Sequence, residues 1–180
     1  MTGVQTCALP IFMRKTAFAP IVDATTRVLI LGSLPGDLSL AAARYYANPR
    51  NRFWHLVGDV IDQPELPELD YDARLMALLA AGIGLWDAAA SAERTGSLDS
   101  AIRNVQPAAL LDLVQSLLPQ LRVEAFNGKT SAKIARPVLA SARCQLIDLP
   151  SSSPAHAAMP YLQKRQAWLG LRHYLTRSTV

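Results

Sequence analysis

The sequence predicts an α/β fold, a three-layer sandwich with a mostly parallel four-stranded central sheet flanked by helices. Three observations lead there. Four short apolar or β-branched runs lie far apart in the chain, helical patterning fills the intervals, and each run ends abruptly in Gly, Pro, Ser or polar residues. Strands that alternate with helices pair in parallel, because a parallel pair needs a crossover of a dozen or more residues.

The first strand is expected at 27–31 (RVLIL), with helices at 38–47 and 51–61 behind it. A connection at 62–69 carries Pro64 and Pro67 and leads to a helix at 71–81, which Asp70 would cap and Gly82 would stop. The second strand is 83–86. Pro107 suits the first turn of a helix at 107–118, where its missing N–H is no loss. The third strand, 123–126, precedes a helix at 130–140. The fourth, 144–149 (CQLIDL), precedes a last helix at 161–175. No internal repeat or low-complexity tract interrupts this order.

The chain has 180 residues, 51% hydrophobic and 18% charged, which suits one globular domain with a sizeable core. No apolar run reaches the roughly 18 residues that span a bilayer, so a membrane partner is not expected. The formal charge of +4 is mild but unevenly spread. Arg44, Arg50 and Arg52 crowd one segment, and Lys164, Arg165, Arg172 and Arg177 load the C-terminal stretch, as a solvated or a phosphate-contacting face. Residues 1–12 look foreign, since VQTCALPI (4–11) is what a common sequencing-library adapter encodes in one frame. The domain is then expected to start at Met13, and Cys144 is its one cysteine. A lone cysteine forms no internal disulfide and holds no iron–sulfur cluster, and a reducing cytoplasm fits. Three scattered histidines have no ligand spacing, so neither a metal nor another cofactor is expected.

In open α/β sheets ligands bind beyond the carboxyl ends of the strands. Four segments occupy that place: GSLPG (32–36), 87–91, NGK (127–129) and PSSSPAH (150–156). Two glycines around a proline make a tight turn with exposed N–H groups, able to cradle an anion or a polar base edge. The next segment, YYANPRNRFW (45–54), packs tyrosines, asparagines, arginines and a Phe-Trp pair into ten residues. An aromatic face stacks an extruded base, arginines hold phosphates, and an asparagine orients water without carrying charge. Trp54 reads as helix core.

GSLPG followed by YYANPRNRFW resembles the first motif of the mismatch-specific uracil glycosylases, and most closely the branch of hypoxanthine-DNA (deoxyinosine) glycosylases in the uracil-DNA glycosylase superfamily. The mismatch-specific turn reads G-I-N-P-G, and its asparagine positions the attacking water. Leu34 holds that place here and cannot do so. The resemblance moves the role to Asn51, while local chemistry alone does not choose between Asn51 and Asn48. By the same ungapped match Tyr46 stacks the flipped base, and backbone amides near Ser33 and Leu34 read its edge. LPSSSPA (149–155) resembles the superfamily loop that enters the minor groove; it assigns Ser151, Ser152, Ser153 and Pro154 to DNA, with Arg50 and Arg52 on phosphates. His156 contacts substrate or phosphate, or caps a helix. GIGLWD…GSLDSAI (82–102) and FNGK (126–129) also match family blocks, so Asp87 lines the pocket or caps a helix and Asn127 reads the base. The likeness covers most of residues 27–175. It implies a monomeric hydrolase, free of cofactors, that removes deaminated bases from DNA and so initiates base-excision repair.

Competing readings fail on spacing. Gly128-Lys129-Thr130 resembles the end of a phosphate-binding P-loop, but the glycine required five residues earlier is Val123. Ser151, His156 and Asp148 lack the G-x-S-x-G elbow of a serine hydrolase. The alternative with most force is a nucleic-acid-binding module that kept the fold and lost catalysis, and Leu34 gives it that force.

Overall fold

The computed structural model describes residues 13–176. The readings of residues 1–12 and of Arg177 fall outside them. The four expected strands form one sheet: β2 (Val28–Gly32), β3 (Ile83–Asp87), β6 (Val123–Asn127) and β7 (Gln145–Leu149), in the order β3-β2-β6-β7 and all parallel. Successive side chains of a strand point to opposite faces, and β2 serves both. Val28 and Ile30 join a core with α2 (Phe53–Val60), α3 (Tyr71–Ala81) and α6 (Tyr161–Leu169). Leu29 and Leu31 face the other way, into a core with α4 (Leu110–Leu117) and α5 (Lys129–Val138). Helices thus cover both faces, which gives the three layers.

A second sheet was not expected. β1 (Arg14–Thr16), β4 (Ala89–Glu93) and β5 (Arg103–Pro107) pair antiparallel in the order β1-β4-β5. Only Ala88 separates β3 from β4, so the chain leaves the parallel sheet and enters the small one almost without a turn. AASAE lacks the β-branched and aromatic residues that mark strands, and RNVQP is largely exposed, so neither carries a hydrophobic signature. Pro107 is therefore misassigned as a helix start. It ends β5 opposite Ala89, at a strand terminus where the missing N–H breaks no ladder, and α4 begins at Leu110.

Two further boundaries move. The helix expected at 38–47 is α1 (Asp37–Ala42), stopped by Ala43 in the left-handed conformation at φ 50°, which frees residues 43–52 as a loop. The last helix breaks at Gly170, where Leu171 N bonds back three residues to Trp168 O, and resumes as α7 (Arg172–Leu175). Its basic residues are tied to neighbouring elements, although Arg165 and Arg172 stay 41% and 42% exposed. Lys164 is buried with its ammonium on His156 O at 2.8 Å, Arg165 pairs with Asp59 at 2.9 Å, and Arg172 pairs with Asp62. Those three cations dock α6 and α7 onto α2 and the 150–156 loop.

Candidate active site at the strand ends

The carbonyls of Gly32 to Pro35, in the turn after β2, are all taken by donors. Gly32 O accepts from Ala88 N at 2.8 Å and Ser33 O from Ala89 N at 3.1 Å. Leu34 O accepts from Arg94 Nη1 at 3.2 Å, and Pro35 O accepts from Arg94 Nη2. Among the described residues no group accepts from the N–H of Ser33 or Leu34, and both residues line the cleft. The Leu34 side chain packs away against Ala89, Ala92 and Ile102. Asp99 completes the clamp, accepting from Ser33 Oγ at 2.7 Å and lying 3.6 Å from Arg94.

Arg94 is 1% exposed, and burial lowers the pKa of its guanidinium without bringing neutrality within reach. Sequence reasoning passed over Arg94 and Asp99. The one trace of them in the sequence is an opposite-charge pair bracketing TGSL, too common a pattern to single out. Arg94→Ala strands two turn carbonyls and Asp99, and is expected to cost about 1.5–3 kcal/mol, the range for hydrogen bonds to a charged group. A lower urea midpoint at unchanged slope checks it.

The loop at 43–52 supplies the aromatic and amide groups. Tyr46 has φ 52°, a left-handed conformation costly outside glycine and concentrated at functional sites. That turn lays its ring flat on Phe53, with centroids 3.6 Å apart and planes 7° apart. Trp54, buried as expected, donates Nε1–H to Tyr46 O at 3.3 Å. Phe53 is in turn met edge-on by Trp168 at 5.8 Å. Burial holds the Tyr46 phenol well above its usual pKa, so it stays a neutral hydroxyl. Asn51 Oδ1 accepts from Phe53 N at 3.0 Å, and Asn48 Oδ1 from Arg50 N at 3.0 Å. Each amide is fixed by a backbone N–H and keeps its own NH₂ and a second oxygen lone pair.

Asn127, at the end of β6, binds the loops together. Its Nδ2 donates to Ser152 Oγ at 2.9 Å and Tyr46 Oη at 3.2 Å, and its Oδ1 accepts from Ser152 N at 2.9 Å. Ser152 is buried, and its carbonyl accepts from Arg52 N at 3.1 Å. Ser151 and Ser153 fold the loop locally, their hydroxyls accepting from Ser153 N and Ala155 N at 3.2 Å each. Pro154 stands exposed at its tip, followed by a half-buried His156.

These segments enclose one cleft of ≈ 1370 Å³. It gathers Ser33, Leu34, Tyr46, Asn48, Arg50, Asn51, Asp87, Asn127, Ser151, Ser152, Ser153, Pro154 and His156. Arg52 alone of the expected site residues stays outside its lining, exposed on the outer side of the loop. Lys129 and Lys133, not anticipated, stand exposed along the opposite wall on α5. Asp87 ends β3 at the floor, 4% exposed, with no hydrogen-bond partner for Oδ2. Burial raises its pKa to about 7, Arg94 pulling it down and Asp99 pushing it up. It caps no helix, since the chain continues into β4. Among the described residues no three His, Cys, Asp or Glu side chains gather as a metal site would require.

The comparison that decides the family is a model that matches residues 19–172 and is described as the uracil DNA glycosylase superfamily. The chain belongs to the uracil DNA glycosylase superfamily. Two superfamily relatives named hypoxanthine DNA glycosylase, from Methanosarcina barkeri and Methanosarcina acetivorans, are each 38% identical over 144 residues, covering 80% of this chain and 89% of the relative. A solution NMR structure of a candidate uracil DNA glycosylase from Methanosarcina acetivorans superposes with TM-score 0.81 at 35% identity, covering 91% of this chain and 99% of that one. The expected sandwich is therefore the superfamily's fold, with its cleft at the strand ends.

Proposed function

We propose that this chain hydrolyses the N-glycosidic bond of deaminated bases, hypoxanthine or uracil, in DNA. The observation that carries this is the meeting, in one cleft, of a turn with two uncommitted amides, a supported aromatic ring and two fixed asparagine amides. The relatives' names supply the substrate class.

In this reading Arg50, Lys129 and Lys133 hold backbone phosphates, and the 150–156 loop fills the space of the extruded base. Tyr46 receives the base on the ring face opposite Phe53. The amides of Ser33 and Leu34 read its edge and steady charge as it departs, a preorganised arrangement that needs no rearrangement during reaction. Asn51 positions water against C1′, with Asn48 the other candidate amide. The enzyme acts as a monomer in the cytoplasm. A module that only binds DNA is the second reading, because Leu34 puts an apolar side chain where a polar one positions water in the mismatch-specific enzymes. A panel of duplexes, each bearing hypoxanthine, uracil or xanthine and scored by alkaline strand cleavage, tests the choice. Cleavage at the deaminated base is expected, and intact strands across the panel leave the binding module.

A further inference from the structure

The cleft floor holds a carboxyl that the roles above leave unused. Asp87 has no hydrogen-bond partner for Oδ2 among the described residues, yet is almost fully buried. Its place is made by Gly32. A Cβ built there would lie 2.5 Å from Asp87 Oδ1 and 3.2 Å from Tyr46 Oη. The missing side chain therefore lets the carboxyl and the phenol of the stacking tyrosine converge on one spot. Gly32, Tyr46 and Asp87 all line the cleft, so that spot borders the space beside the tyrosine ring.

We propose that Asp87 is the general acid of the reaction, giving its proton to a free ring nitrogen of a purine as the base leaves. This rests on the glycosylase reading and deepens it. In the step, the C1′–N9 bond breaks and its electron pair moves into the purine ring. The Asp87 proton goes to N3 or N7, so the base departs neutral. Water oxygen bonds to C1′ and releases its proton to solvent, and the Asp87 carboxylate is reprotonated from solvent. Uracil has no free ring-nitrogen lone pair, because N3 carries hydrogen. It leaves instead as an anion spread over its carbonyl oxygens, so Asp87 favours purines.

The surroundings raise the protonated fraction of the acid near neutrality. Arg94, from the segment after β4, opposes this, while Asp99 on the next turn favours it; Tyr45 and Tyr46 face the carboxyl as neutral phenols from the 43–52 loop. Burial outweighs Arg94 and sets the pKa at about 7. A general acid acts in its protonated form, so activity is full below that value and falls above it.

The test compares single-turnover excision from hypoxanthine and uracil duplexes across pH, for wild type and Asp87→Asn. Wild-type release of hypoxanthine should fall roughly tenfold per pH unit above about 7, with a shallower fall for uracil. Asp87→Asn should lower the hypoxanthine-to-uracil rate ratio about 100-fold, at the lower end for loss of a general acid, and abolish the alkaline limb. An equal loss on both bases, an unchanged ratio, or a limb that persists in the variant overturns the proposal. Should the variant not fold, a wild-type hypoxanthine profile flat through neutrality overturns it as well. If wild type releases neither base, the glycosylase reading itself fails, a result distinct from all of these.

Discussion

Replacing Asn51 with alanine lowers single-turnover excision about 10²–10³-fold, the loss expected when one preorganised polar group leaves an active site. The effect starts in the backbone. Asn51 sits two residues before the first residue of α2, and its Oδ1 accepts from Phe53 N at 3.0 Å. That bond fixes the amide plane and leaves one lone pair and the NH₂ to address a water. The same bond makes alanine an impure test, since it also removes about 1 kcal/mol of stability. Asn51→Ser separates the two roles, because a serine oxygen can still accept from the helix start but cannot reach as far. The serine variant should melt like wild type and remain as inactive as alanine. If it instead excises normally, Asn51 serves only to begin the helix, and Asn48 inherits the water.

Trp168→Ala destabilises the fold by about 3–5 kcal/mol, the usual range for emptying a buried aromatic site. Trp168 is fully buried, edge-on to Phe53, with its Nε1–H on Pro150 O at 2.9 Å. Most of the loss is apolar burial and a cavity that α2 and α6 cannot close. The rest is a loop carbonyl left without its donor. A domain of this size has only about 5–15 kcal/mol in hand, so the variant should unfold at a much lower urea concentration. Phe53 carries Tyr46, and Pro150 begins the loop opposite, so excision should also fall at temperatures where the variant stays folded. Trp168→Phe keeps most of the burial and should lose only about 1–2 kcal/mol. Equal losses for Phe and Ala would mean that the Pro150 hydrogen bond, not packing, dominates.

Legibility in the sequence tracked the strength of the local signal. The central strand β2 is buried on both faces, so RVLIL reads as a continuous apolar run, and even the half-exposed edge strand β7 kept enough apolar residues to be found, so the strand ends marked the cleft. The small sheet was illegible because Ala89–Glu93 and Arg103–Pro107 borrow their burial from neighbours rather than declaring it in side chains. Pro107 shows the cost of reading one residue by preference, since a proline fits a helix start and a strand end equally well. Among site residues, those on strand ends and in the aromatic loop were visible by type. Arg94 and Asp99 were not, because an arginine buried under a turn looks from sequence like any solvated one. Nor could the sequence show that Asn127 would be occupied by Ser152 and Tyr46, which makes it a bracket for two loops in this structure. Arg52 was named with Arg50 for phosphate contact, and it stands exposed beside the cleft rather than in its lining.

The most direct test of the central claim is to identify what the purified protein releases from a duplex carrying one hypoxanthine. Free hypoxanthine, detected by mass spectrometry in equal amount to new abasic sites, with phosphodiester bonds intact until alkali is added, is the predicted result. A duplex that binds the protein yet yields no free base, or strands cut without base release, would contradict it.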